Sequence, residues 1–389
     1  MQTLAARQEP VVVSARGATL QLEDGSHLLD FASGGLGHGA APIAAAVARQ
    51  MSVNPLSTRH FLSLPLAHLT ARLALECPGS LEVSYLCSSR SEAVEGALKL
   101  AHAVHPGRTK LVAVSGAEHG STLGALSACG QPSRRDPLPR LLFEAELAPS
   151  PVETADLVDR DTAAVIVEPW PGGPDLPVPE AGWLRELAAS CAACGALLIA
   201  DESRSGVGVT GSMFSIQREG VVPDVLVVGG ALGGSVLPLA GYVTRRGLND
   251  RVYGRRDPTL HASTTGGNPA ACVAGLATLE MVKREQLPAR AEASGLRLLA
   301  GLRELRRRHP DTVGEVRGAG LFARVRTKTG EADAVAAAAL ERGLICEVDP
   351  GLPGIALRPP LLSTPEEIDL GVEALDGALA TATPAGAGR

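Results

Sequence analysis

Residues 163–167 (AAVIV), 180–193 (EAGWLRELAASCAA) and 196–200 (ALLIA) are an apolar run, a helical pattern and a second apolar run, the last closed by Asp201 and Glu202. Each run is too short for a helix, and its apolar residues are continuous rather than alternating. Runs of this kind are strands covered on both faces, as in a parallel sheet. Parallel neighbours cannot be joined by a tight turn, so the helical stretch reads as the crossover between them. The same alternation continues outward. Leu81–Leu86, Leu111–Val114 and Val225–Val228 are further short apolar runs, and Glu92–Val104 is a further helical stretch. Strands alternating with helices predict an α/β fold with a mostly parallel sheet.

The pattern changes after Pro269. A long helical segment runs towards Arg308 with a break near Pro288. A Gly-rich strand region around 314–325, a helix over Ala332–Arg342, a strand pair and a last helix from Pro365 follow. These read as a separate α+β domain. A chain of 389 residues has ample core for one large domain and a smaller one. The expected division is 1–35 as an N-terminal segment of the small domain, 36–270 as the large domain, 271–380 as the C-terminal small domain, and 381–389 as a frayed tail.

Net charge is -6, with no basic stripe, which argues against nucleic acid as a partner. Residues 1–13 carry no apolar signal core, and no apolar run reaches membrane-spanning length, so a soluble cytoplasmic protein is expected. The closest cysteines, Cys191 and Cys194, lie in the helix ending at Gly195, without the second ligand pair a metal site needs. They read as two buried helix residues. The four lysines are Lys99, Lys110, Lys283 and Lys328.

Several motifs follow one another in a definite order. They are Leu29-Asp30-Phe31 with Leu36-Gly37-His38-Gly39, then Ser89 to Glu95, then Ala117-Glu118-His119-Gly120. Val167-Glu168-Pro169, Ala200-Asp201-Glu202, Pro223-Asp224, Leu232-Gly233-Gly234, Ser263 to Pro269, Val316-Arg317-Gly318 and Pro359-Pro360-Leu361 complete the set. In this order they resemble the class III aminotransferases of the acetylornithine and ω-amino acid type, over nearly the whole chain. The resemblance implies pyridoxal-phosphate fold type I, with a seven-stranded-type sheet and a small α+β domain. It also implies a homodimer whose site is completed by Thr264 from the neighbour. Ser89, Arg90 and Ser91 match the family's phosphate-binding turn, with Ser263 and Thr264 in the loop that reaches a neighbour's phosphate. Glu168 and Asp201 match two strand ends facing the cofactor.

The departures lie in the pocket. The family's Schiff-base lysine stands seven residues after the proline of Pro-Asp, and that position here is Gly230. A transaminase uses that amine as covalent anchor and as proton carrier, and glycine supplies neither. Glu118 replaces a ring-stacking aromatic, or else points to solvent. Arg90-Ser91 replaces Gly-Thr, where Ser89 and Glu92 form a capping box at a helix N-terminus that favours an anion. Arg90 either strengthens that anion site, fills it, or lies in solvent. Asp201 loses its pyridinium partner, and a buried carboxylate needs another, for which Arg204 or Arg90 is the candidate; a turn-capping role is the alternative. On the substrate side the loop at Gly34–Leu36 is short, and Ala356 stands where the family has an arginine, with Arg358 shifted. Trp170-Pro171-Gly172-Gly173 replaces a Gln-Gly run.

The leading expectation is therefore an enzyme with no covalent cofactor. It would do acid–base or group-transfer chemistry on an anionic small molecule in bacterial specialised biosynthesis. Glu118, His119 and Asp201 are the acid–base candidates, and Arg90 and Arg204 the anion-binding ones; a structural hydrogen bond is the alternative for His119. Two other readings stand beside it: pyridoxal or pyridoxamine phosphate held without the lysine, and a non-catalytic partner subunit of an active aminotransferase. No metal is expected.

Overall fold

The computed structural model describes residues 10–56, 61–138, 141–172, 179–254, 260–328, 331–348 and 353–381. Seven strands make the central sheet: β1 (Val83–Cys87), β2 (Lys110–Val114), β3 (Glu146–Ala148), β4 (Thr162–Val167), β5 (Leu197–Asp201), β6 (Val225–Val228) and β7 (Ala240–Thr244). Their spatial order is β1-β7-β6-β5-β4-β2-β3. The pairs from β6 through β3 are parallel, and β7 runs antiparallel to both β1 and β6. The expected α/β sheet is thus present. Alternate residues of β4 and β5 enter two different cores: Val165, Val167, Leu198 and Ala200 one, Ala164, Ile166, Leu197 and Ile199 the other. Cover on both faces is what the continuous apolar runs require.

β6 matches its sequence expectation residue for residue, and the other expected strands shift by only one or two residues. β7 carried no recognisable pattern, because Gly241 interrupts it. A Cβ there would lie 2.2 Å from the Tyr85 carbonyl oxygen, so the strand pairing itself calls for glycine. The long C-terminal helical segment divides into Pro269–Arg284 and Leu287–Arg308. The break falls at Glu285–Gln286, with Gln286 at φ +50°, and Pro288 sits in the first turn of the second helix, where its missing N–H leaves no bond unmade.

Two smaller sheets complete the fold. Val12–Arg16, Thr19–Leu22 and His27–Asp30 join Leu344–Ile345, which pairs parallel to His27–Asp30. Val313–Ala319, Phe322–Thr327, Gly354–Leu357 and Glu347–Val348 form the other. The expected frayed tail lies outside the described residues, apart from Thr381, which ends the last helix. Among the described residues no helix is long and apolar enough to cross a membrane. Cys191 and Cys194 lie on the helix Trp183–Cys194 as expected, but only Cys191 is buried; Cys194 is half-buried at the helix end.

The carboxyl ends of β2, β4, β5 and β6 open on one edge of the sheet. In a parallel α/β sheet this edge is where ligands bind. The segments leaving it carry Glu118 and His119, Glu168 to Trp170, Asp201 to Arg204, and Gly229-Gly230.

Candidate active site at the strand ends

β5 ends in Asp201, and its carboxylate is fully engaged. Oδ1 accepts from the Ser203 amide at 3.1 Å and from Ser203 Oγ at 2.5 Å, and Oδ2 meets His119 Nδ1 at 2.9 Å. Burial would raise this carboxyl, but the bond to His119, the charge of Arg90 and the Ser203 hydroxyl outweigh it and hold it below the usual range. His119 is fixed from its own backbone as well. Its amide donates to Cys129 Sγ at 3.0 Å, and that thiol donates to the Gly120 carbonyl at 3.3 Å. Its Nε2 is buried with no hydrogen-bond partner among the described residues.

Above this pair runs a relay of charges. Arg90 Nη2 lies 2.9 Å from Glu118 Oε1 and donates to the Glu118 carbonyl oxygen at 2.8 Å. Arg134 reaches Oε1 at 3.3 Å and Arg204 Nη1 reaches Oε2 at 3.4 Å. Arg204 Nη2 donates to both oxygens of Glu347, at 2.7 and 2.6 Å, and Arg358 Nη2 lies 2.7 Å from Glu347 Oε2. The Arg204 and Arg358 guanidinium carbons each lie 5.6 Å from the centroid of the Phe322 ring, within cation–π range. Burial acts to raise the Glu118 carboxyl, yet Arg90, Arg204 and Arg134 together bring it below its ordinary value. Glu168, 4% exposed, accepts the Gly172 amide at 3.3 Å; burial pushes its carboxyl up.

The expected partner of Asp201, Arg204 or Arg90, is not the one in contact. His119 is, and Arg90 acts on Asp201 only through space. Both arginines have nearer carboxylates, in Glu118 and Glu347, and an ion pair formed at contact outweighs one at longer range. Glu118, expected as an acid–base group, is the meeting point of three guanidinium groups instead. A carboxylate stabilised in its charged form is a weak base.

At the helix Arg90–Val104 the expected capping box is present with a shifted return bond. Ser89 Oγ accepts from the Glu92 amide at 3.2 Å, while Glu92 Oε2 accepts from the Ser88 amide at 3.1 Å. Ser263 Oγ donates to Glu92 Oε1 at 3.2 Å, and Ser91 Oγ accepts from the Ser121 amide at 3.0 Å. Thr264 is exposed. The Ser89 and Ser91 hydroxyls and the Glu92 amide are thus bonded to the chain's own groups.

Gly230 lies at φ +52°, and a Cβ on it would stand 2.3 Å from the Ser203 carbonyl oxygen. The position is therefore built for glycine. Among the described residues there is no cluster of three or more His, Cys, Asp or Glu that could hold a metal ion.

Sequence reading missed Glu347 and Arg134. Glu347 sits on a two-residue strand in register with Ala356, the position where an arginine was expected. Only that pairing brings it to Arg204 and Arg358, and nothing local in Cys346-Glu347-Val348 announces it.

The sequence profile of the family described as aminotransferase class-III matches residues 3–379. Among solved structures, a thermostable (S)-enantioselective ω-transaminase from Thermomicrobium roseum is 30% identical, with TM-score 0.88, covering 96% of this chain and 92% of its own. An ornithine aminotransferase from Toxoplasma gondii, whose structure has partial occupancy of PLP at the active site, is 25% identical. Its TM-score is 0.88, with 98% of this chain and 92% of its own covered. A transaminase from the marine bacterium Virgibacillus has the same fold, with TM-score 0.90 at 24% identity over 97% of this chain and 94% of its own.

Proposed function

We propose, from the premise that the chain belongs to the aminotransferase class-III family, that it is not a conventional transaminase. In this reading it is a pyridoxal-phosphate-independent enzyme whose pocket receives a small anionic molecule. The residues present do not fit pyridoxal phosphate. No amine stands at Gly230, and the backbone there has no room for a side chain. Glu118 and its guanidinium partners stand where the resemblance places the ring-stacking side chain. In the phosphate turn Arg90, drawn to Glu118, stands where the resemblance expects a glycine.

One observation carries the anionic ligand. Four arginines (Arg90, Arg134, Arg204 and Arg358) share only two carboxylates, Glu118 and Glu347, within the relay. Asp201, held ionised, adds a third negative charge that acts on Arg90 through space, and burial favours the neutral form of Glu168, which leaves the four arginines one charge in excess. The excess positive charge favours an added anion, such as a carboxylate or phosphate group, in a setting that water screens weakly. Arginines taking such a ligand would release Glu118 and Glu347 and uncover His119. Its Nε2 would then accept or return a proton while Asp201 holds Nδ1–H. Self-association into a homodimer belongs to the same reading. Exposed Met51, Val53, Leu56, Phe61, Leu62, Leu64 and Leu75 give this part of the surface the apolar character of a subunit interface.

A second, non-catalytic reading is favoured by the 0% exposure of His119. A thermal melt with pyridoxal phosphate, and separately with phosphate, pyrophosphate and small dicarboxylates, tests the proposal. A raised midpoint with one of the anions, and no change in midpoint or visible absorbance with pyridoxal phosphate, is the expected result. A protein-dependent pyridoxal spectrum would sink the cofactor-independent reading. Indifference to every anion would favour the non-catalytic one.

A further inference from the structure

Glu168 stands just past the end of β4, 4% exposed, and forms no ion pair among the described residues. Its one hydrogen bond there is the Gly172 amide on Oε2 at 3.3 Å, and Oε1 has none. A Cβ built on Gly172 would stand 2.7 Å from Glu168 Oε1 and 2.8 Å from Arg204 Nη1, so carboxyl and guanidinium meet over one bare Cα. Yet Arg204 reaches past this carboxyl, to Glu118 at 3.4 Å and to Glu347 at 2.6 Å. A buried carboxylate beside a guanidinium would be drawn into contact with it, because an unpaired buried charge is strongly disfavoured. A neutral acid is not so drawn. Burial favours that form, the charge of Asp201 adds to it, and Arg204, His119 and Arg90 oppose it without prevailing. Asp201, on the adjacent strand, is held ionised. Two strand ends side by side thus present one charged carboxylate and one acid, the division of labour found where a site handles protons.

Taking the anion site proposed above as given, we infer that Glu168 is one of its ligand-binding residues, a carboxylic acid whose Oε1–H donates to an oxygen of an anion seated on Arg204. Oε2 is engaged as acceptor by the Gly172 amide, which leaves the proton to Oε1. A donor of this kind needs an acceptor, and the chain supplies none. The ligand is then an oxyanion with at least two accepting oxygens, one for the guanidinium and one for the acid.

The test uses the full chain and sulfate, which carries no proton near neutral pH and so offers acceptors only. The infrared difference between the parent and Glu168→Gln should contain the C=O band of a protonated carboxyl, and sulfate should move that band to lower frequency, as donation by an acid O–H does. By calorimetry Glu168→Gln, which keeps a donor, should bind sulfate within about threefold of the parent. Glu168→Met, similar in shape but without a donor, should bind about tenfold to a hundredfold more weakly, the span of a hydrogen bond to a charged acceptor. A difference spectrum without the band would overturn the inference. Sulfate bound equally by the parent and Glu168→Met would overturn it while leaving the anion site standing. Sulfate that neither binds the parent nor moves the band would overturn both.

Discussion

His119 Nδ1 and Asp201 Oδ2 lie 2.9 Å apart, with the two side chains 0% and 1% exposed. A pair so enclosed has no solvent to replace either partner. His119→Leu should therefore cost about 3–5 kcal/mol, because it leaves a buried carboxylate unpaired. Asp201→Asn keeps an acceptor in place and should cost less, about 2 kcal/mol. Urea unfolding of the two variants checks both the size and the order.

Gly230→Lys should not restore a transaminase. The new Cβ would press on the Ser203 carbonyl oxygen at 2.3 Å, and φ +52° adds strain for any side chain. The variant should lose at least about 1 kcal/mol of stability. Treatment with pyridoxal phosphate and borohydride, followed by peptide mass analysis, should find no adduct at residue 230.

Glu118→Gln removes the carboxylate shared by Arg90, Arg134 and Arg204. Stability should fall by about 1–3 kcal/mol. Affinity for phosphate or a dicarboxylate should rise, because the competing anion is gone. Calorimetric titration of parent and variant separates this outcome from simple damage, which would lower both quantities.

Burial pushes the Glu202 carboxyl up to about 7, against bonds from Ser205 and Ile216 that favour its charged form. The folded state therefore holds a proton that the unfolded chain has released above its own value of 4.5. Stability from this group is full at the acid end, declines as pH rises from 4.5 towards 7, and stays low above that. Glu202→Gln, which stays neutral, should flatten the melting temperature across that window. The parent should lose roughly 1–3 kcal/mol there relative to the variant.

The legible part of this molecule is the part set by local pattern. Apolar continuity marked 163–167 and 196–200, within a residue of the strands Thr162–Val167 and Leu197–Asp201, because both faces of those strands are covered, and Ser89 with Glu92 marked a helix start that the structure contains. Gly230 was legible from its spacing after Pro223-Asp224, and its φ of +52° adds a steric cause that spacing cannot carry. The relay was half legible. Arg90, Glu118 and Arg204 stood out as charges replacing expected neighbours. Glu347 joins them only through the pairing of Glu347–Val348 with Gly354–Leu357, a contact that no sequence window contains. The partner of Asp201 was misread for a similar reason. His119 lies 82 residues before Asp201 and meets it because β2 and β5 end at the same edge of the sheet, while Arg204, three residues on, pairs with Glu347.

The bond between Arg204, just beyond β5, and Glu347, on the C-terminal sheet, fastens the central sheet to its neighbour like an electrical clasp. A clasp made of charge yields to charge rather than to force. With Arg204 only 8% exposed, dilute salt does little to that clasp, whereas one multivalent anion seated on the guanidinium would compete directly with Glu347 and open it.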